Sequence, residues 1–197
     1  MAKRESTFIN MVLTLMLVTV VASLTLATVY NLTKEPIARA REEARQAAIR
    51  MVVPDFDELI TRKVMPAEGR DSLEFNFAIK DGDLAGVAVS TYTDKGFSGR
   101  ITAMVGFHPD GRIVDVVHLQ HKETPGLGDK IEKSKSDWSD QFQGMDPATA
   151  VIRVTKDGGQ VDAITAATIT ARAYCDGIQR AYDAFRKHVL SEGGIEL

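Results

Sequence analysis

Apolar positions change texture three times along this chain. From Phe8 to Tyr30 the sequence reads FINMVLTLMLVTVVASLTLATVY, an apolar run without a charge. A bilayer core of about 30 Å needs about 20 such residues at a helical rise of 1.5 Å, so the run predicts a membrane-spanning helix. Its threonines and serine can bond to carbonyls of their own helix and do not spoil the prediction. The run outlasts a secretory h-region, no A-x-A site closes it and no cysteine follows it, so an uncleaved anchor is expected rather than a signal peptide or lipoprotein. No ionisable residue lies within it, so it offers no ion path of its own.

Between Pro36 and Met51 the apolar positions Ile37, Ala40, Ala44, Ala47, Ala48 and Met51 fall at near-helical spacing. This predicts a juxtamembrane helix continuing the anchor, with Pro36 in its first turn. Residues 54–73 hold Pro54, Pro66 and Gly69 and read as an irregular connection. The texture then changes to short strands with turns between them. β-Branched runs at 74–80, 84–93, 100–108, 111–121 and 150–156 predict strands, with hairpin turns at Asp81-Gly82-Asp83 and Pro109-Asp110-Gly111. Ala171, Tyr174, Cys175, Ile178, Tyr182, Phe185 and Val189 return to 3/4 spacing and predict a closing amphipathic helix. The expected fold class is α+β: an anchor over 1–31, a juxtamembrane helix and connector over 32–72, and a domain over 73–197. In that domain a mainly antiparallel sheet is covered by helices.

Composition narrows the function. A net charge of -3 over 197 residues lacks the basic excess that a phosphate backbone requires, so no nucleic-acid partner is expected. The lone Cys175 excludes an internal disulfide and a Cys-rich metal centre built from this chain alone. His108, His118, His121 and His188 show no HxxxH spacing, so no metal site is expected. Lys3 and Arg4 precede the apolar run while Lys34, Arg39, Arg41 and Arg45 follow it, so charge alone does not orient the anchor. No GxGxxG fingerprint suggests a dinucleotide site.

Two stretches read as more than scaffold. Glu123-Thr124-Pro125-Gly126-Leu127-Gly128 follows a predicted strand, and alternate glycines let backbone N–H groups approach a ligand. A tight surface turn accounts for the same letters. Asp162-Ala-Ile-Thr165-Ala166-Ala167-Thr168-Ile-Thr170 lies where the last helix begins. One threonine can cap that helix, but three around two small alanines also suit an anion at a helix N-terminus.

Together these motifs resemble the FMN-binding domain of the RnfG and NqrC subunits of ion-pumping membrane oxidoreductases. The similarity takes in the single span, ETPGLG at 123–128, Trp138, Phe142 and the threonine motif. HKETPGLGDKIE (121–132) and the short chain favour the RnfG type. The resemblance implies FMN held covalently through a phosphoester on Thr168, within a motif formed by Asp162, Thr165, Ala166, Ala167 and Thr168. It implies a separate flavin transferase that recognises Asp162, and flavin contacts from Glu123, Thr124, Gly126, Leu127 and Gly128. No catalytic residue and no activity in isolation are expected. Implied partners are the other membrane, iron–sulfur and flavin subunits of a ferredoxin-to-NAD complex, together with membrane lipid. The soluble domain is expected on the periplasmic side of a bacterial inner membrane. Alternatives are an NqrC-like subunit of a Na⁺-pumping quinone reductase, a stand-alone extracytoplasmic flavin reductase, and a membrane-anchored scaffold. Ala166 stands where the family usually has glycine, and a positive φ there would strain it.

Overall fold

A computed structural model describes residues 7–67 and 69–191; Lys3 and Arg4 lie outside them. Helix α1 runs unbroken over Phe8–Val52, and its apolar portion is long enough to cross a membrane. Pro36 sits inside this helix, not in the first turn of a separate one. Thr14, Thr19, Thr25, Thr28 and Thr33 each return a hydroxyl to a carbonyl one turn earlier, so these exposed polar groups are satisfied within the helix. Residues 1–44 and 45–197 form two compact units, and the second carries the remaining structure.

That unit is built on a five-stranded sheet in the order β1-β2-β3-β4-β5, with all neighbours antiparallel. The strands are β1 (Glu58–Val64), β2 (Leu73–Lys80), β3 (Asp83–Gly96), β4 (Gly99–Phe107) and β5 (Ile113–Gln120). The runs expected at 74–80, 84–93, 100–108 and 111–121 supply β2 to β5. Asp81 and Gly82 both take positive φ, 54° and 88°, as a two-residue type I′ hairpin requires.

Two expectations fail. The connection 54–73 contains β1, an edge strand whose sequence ELITRKV is mostly exposed and so lacks the alternation of a half-buried strand. Residues 150–156 join no sheet. Ile152 and Val154 are buried in alternation, but the backbone bonds to its own return path: Thr155 N–H to Val161 O, and Val161 N–H to Arg153 O. A single parallel bridge, Val154 to Val161, is what remains of the expected strand.

Both faces of the sheet are apolar, and they differ in size. One presents Phe75, Phe77, Val87, Val89, Val105 and Phe107 to helix α2 (Thr168–Phe185). The Phe107 and Phe185 rings stack at 4.8 Å. α2 buries Ala171, Tyr174, Cys175, Ile178, Tyr182 and Phe185 as its spacing predicts, each large side chain contributing about 1.5–3 kcal/mol. Val189 falls in the π-helical turn Arg186–Leu190 that follows. The opposite face offers Ala78, Ala88, Val117 and a single bulky residue, Met104, to Ala48, Ile49, Val52 and Val53 at the end of α1. Arg45, a turn earlier in α1, pairs with Glu74 on β2. Gly106 permits the approach: a Cβ there would lie 1.6 Å from the Val52 carbonyl oxygen.

Gly106→Ala is therefore expected to push the end of α1 off the sheet and to cost about 1–3 kcal/mol or more. Denaturant unfolding of the full chain in detergent measures it, and an unchanged midpoint would refute this packing argument.

Candidate functional site

The loop after β5 is organised around Glu123, which is only 5% exposed. Its Oε1 accepts the Ser98 N–H at 2.9 Å, and its Oε2 accepts the hydroxyl of Thr170. Ser98 lies in the turn joining β3 to β4, and Thr170 lies in the first turn of α2. One carboxylate thus joins three segments that are far apart in sequence. Glycine allows this closeness: a Cβ on Gly128 would come within 2.8 Å of the Glu123 Cβ, and one on Gly96 within 2.9 Å of Oε1. Gly126 has a different task, a φ of +78° in the turn where Leu127 and Gly128 donate their N–H groups to the Thr124 carbonyl. The alternate glycines of this loop serve a left-handed turn and a close contact with a carboxylate.

The same convergence encloses a cavity of about 330 Å³, within the range of small-molecule sites. Its walls are Phe97 from the hairpin turn, Glu123, Thr124, Leu127 and Gly128 from the loop, and Ala166 to Thr170 from the start of α2. The two motifs singled out in the sequence therefore meet. Thr165 and Asp162 are not on the wall; Asp162 is exposed, and its carbonyl accepts the Trp138 Nε1–H at 2.7 Å. Gly126 lies outside it too. Phe97 and Ile169 are additions that the sequence reading missed. Phe97 is 67% exposed at the tip of a hairpin and Ile169 50% exposed. An exposed aromatic within G-F-S-G, between two predicted strands, was the available signal.

Capping by threonine does not occur. The N-cap of α2 is Ala167, without a side-chain cap, and no acidic residue stands in the first turn. The first N–H groups of the helix thus have no capping side chain, and Thr168, Ile169 and Thr170, which carry them, line the cavity. Ala166 adopts φ 64°, the left-handed conformation that glycine takes freely, at a cost of about 1–2 kcal/mol for a side-chain-bearing residue. Thr168 is half-buried at the cavity wall.

A second cavity of about 470 Å³ shares Ile169 and holds Cys175 beneath the bidentate Arg172–Asp157 pair. Burial pushes the Cys175 thiol up to about 12, which keeps it protonated and unreactive at neutral pH. On the far side of the loop, His118, His121 and Glu132 bring one ligand atom each to within 4.8 Å of one another. The histidine spacing gave no sign of this cluster. Burial pushes His118 below its usual range, while Glu132 opposes the shift.

A family model described as an FMN-binding domain matches residues 96–183, which include every cavity wall residue. Three relatives, each named as the G subunit of an ion-translocating oxidoreductase complex, are similar along the chain. The one from Shewanella piezotolerans is 38% identical over 70% of this chain and 63% of its own length. The one from Aliivibrio fischeri strain ES114 is 33% identical over 89% of each chain. The one from Pseudomonas aeruginosa strain PAO1 is 34% identical over 84% of each.

Two substitutions probe the site. Ala166→Gly removes the left-handed strain and is expected to stabilise the protein by about 1 kcal/mol. Glu123→Ala strands the Ser98 N–H and the Thr170 hydroxyl and is expected to cost about 1–3 kcal/mol. Thermal unfolding reads both. Loss of stability in the first, or none in the second, would contradict the geometry.

Proposed function

Because this chain belongs to the RnfG family of ion-translocating oxidoreductase complexes, we propose that it is a membrane-anchored electron-transfer subunit carrying FMN as a phosphoester of Thr168. The carrying observation is the cavity on which Thr168 opens. It combines apolar walls from Phe97, Leu127 and Ile169 with an uncapped helix start. Those features suit the two halves of FMN, an apolar ring system and an anionic phosphate. Ala166 and Ala167 leave room beside the phosphate, and the uncapped turn of α2 stabilises its charge by about 0.3–1 kcal/mol.

Bound there, FMN supplies one- and two-electron redox chemistry, which belongs to the cofactor. The protein orients it and limits its contact with water. Among the described residues no His–Asp pair stands beside Thr168 to activate its hydroxyl, so attachment is assigned to a flavin transferase acting on FAD. In that step the Thr168 Oγ1–P bond forms, the pyrophosphate P–O bond of FAD breaks, and AMP leaves. The hydroxyl proton passes to a base of the transferase. Asp162, exposed and off the cavity wall, is suited to recognition by that enzyme rather than to contact with the flavin.

On the same reading α1 lies in the inner membrane, with the folded unit on the periplasmic side and electrons passing within a complex that links ferredoxin to NAD. The names of the relatives favour this over a stand-alone reductase or a scaffold.

Coexpression with a flavin transferase is expected to give a denaturation-resistant fluorescent band and an added mass of FMN less water, both abolished by Thr168→Ala. Label that survives Thr168→Ala would refute the attachment site. A folded, unlabelled wild-type chain beside a transferase active on another substrate would refute covalent attachment itself.

A further inference from the structure

His118 and His121 are three positions apart near the end of β5, and in a regular strand such residues face opposite sides of the sheet. Here Thr102 pairs with Gln120 and Ala103 with His118, so Leu119 has no partner and forms a β-bulge. The extra residue inverts the alternation and brings the two imidazoles together, with ring centroids 5.4 Å apart. Glu132 enters from the end of the 3₁₀ turn Gly128–Ile131, whose geometry its own N–H fixes by donating to the Asp129 carbonyl. Its Oε1 lies 3.0 Å from His121 Nε2. Two donors on one tetrahedral zinc ion, at bonds of about 2.0–2.1 Å, sit roughly 3.3 Å apart. A simple His121–Glu132 hydrogen bond accounts for two of the three side chains. It leaves the buried Nδ1 of His118 without a partner among the described residues.

We propose that His118, His121 and Glu132 form a site for a divalent transition-metal ion of the zinc class. Two imidazoles and one carboxylate are a borderline donor set, suited to Zn²⁺ rather than to Mg²⁺ or Ca²⁺. Three protein ligands leave a coordination position for water. Glu132 is 23% exposed and His121 10%, so the ion enters from the carboxylate side.

Occupation has a structural consequence for the neighbouring loop. His121 Nδ1 accepts the Glu123 N–H at 3.1 Å, which places the ring proton on Nε2, toward Glu132. A metal ion needs the Nε2 lone pair. The proton must therefore move to Nδ1, and the Glu123 N–H loses its acceptor. Metal binding and the resting position of the Glu123 loop are thereby coupled through one imidazole, whether or not a flavin is attached.

The test uses the full chain in detergent, flavin-free and stripped with a chelator. Zn²⁺ titration by calorimetry is expected to show one equivalent bound, and Co²⁺ the visible absorption of a four- or five-coordinate site. ¹⁵N-imidazole NMR should show His121 exchange its Nε2–H tautomer for Nδ1–H. Affinity should fall about ten-fold or more in His118→Ala and in the near-isosteric Glu132→Gln, whose metal-free melting temperature checks that it still folds. No stoichiometric Zn²⁺ or Co²⁺ binding by the wild type, or equal affinity in folded Glu132→Gln, would overturn the site. An unchanged His121 tautomer in the metal-bound protein would overturn the coupling.

Discussion

The buried carboxylate of Glu123 is the constraint on which the site depends. Removing a carboxylate from water is costly unless hydrogen bonds replace its hydration. Among the described residues Glu123 makes no ion pair, and it relies instead on the Ser98 N–H and the Thr170 hydroxyl. Such charge-assisted bonds are stronger than neutral ones. They form only if the hairpin turn, the loop and the start of α2 all arrive together. The cavity beside Thr168 is the space those three segments leave between them. Its glycines follow from the same requirement, because a methyl group at 96 or 128 would occupy the place of the carboxylate or its chain.

Around this staple, the sheet supports two helical layers of unlike thickness. Large aromatic and β-branched residues fill the gap beneath α2, where the helix carries its own Tyr174, Tyr182 and Phe185. Small residues on the opposite face allow the end of α1 to approach until Gly106 meets the Val52 carbonyl. The second arrangement needs less apolar area but closer fit, and it holds residues 48–53 against the sheet that carries the site. Tyr92, toward the end of the central strand β3, reinforces the site layer. Its ring is flanked by Arg100 and Arg180 at 4.5 and 4.8 Å, and its hydroxyl accepts the N–H groups of Arg70 and Asp71.

Elements marked by β-branched runs between turns, or by helical spacing, were legible in the sequence, and those shaped by local exceptions were not. Strands β2 to β5 announce themselves as β-branched runs bounded by turns, and helix α2 through the 3/4 spacing of the apolar stripe it buries. β1 does not, since an edge strand with Thr61, Arg62 and Lys63 exposed buries too little to leave a pattern. Residues 150–156 mislead for the opposite reason: Ile152 and Val154 alternate inward while the backbone satisfies itself in a tight return. The cavity walls at 123–124, 127–128 and 166–168 fall within contiguous motifs that stand out in the sequence. Phe97 belongs to a distant turn, where the only sequence signal is an aromatic within G-F-S-G, and the Glu123–Ser98 bond is what brings that turn to the site. The histidine cluster escaped notice because a single unpaired residue, Leu119, changes which side of the sheet His121 faces.

The sequential order of the strands also governs how the molecule assembles. Each strand pairs with its neighbour in the chain, so the sheet can grow hairpin by hairpin with small loop-closure cost. Thr170 belongs to the last helix, and its contact with Glu123 spans 47 residues. Until α2 docks, that carboxylate stays hydrated and the three walls of the cavity remain separate. The pocket therefore has its shape only while the C-terminal helix is docked, because Thr170 and the wall from Ala166 to Thr170 arrive with that helix.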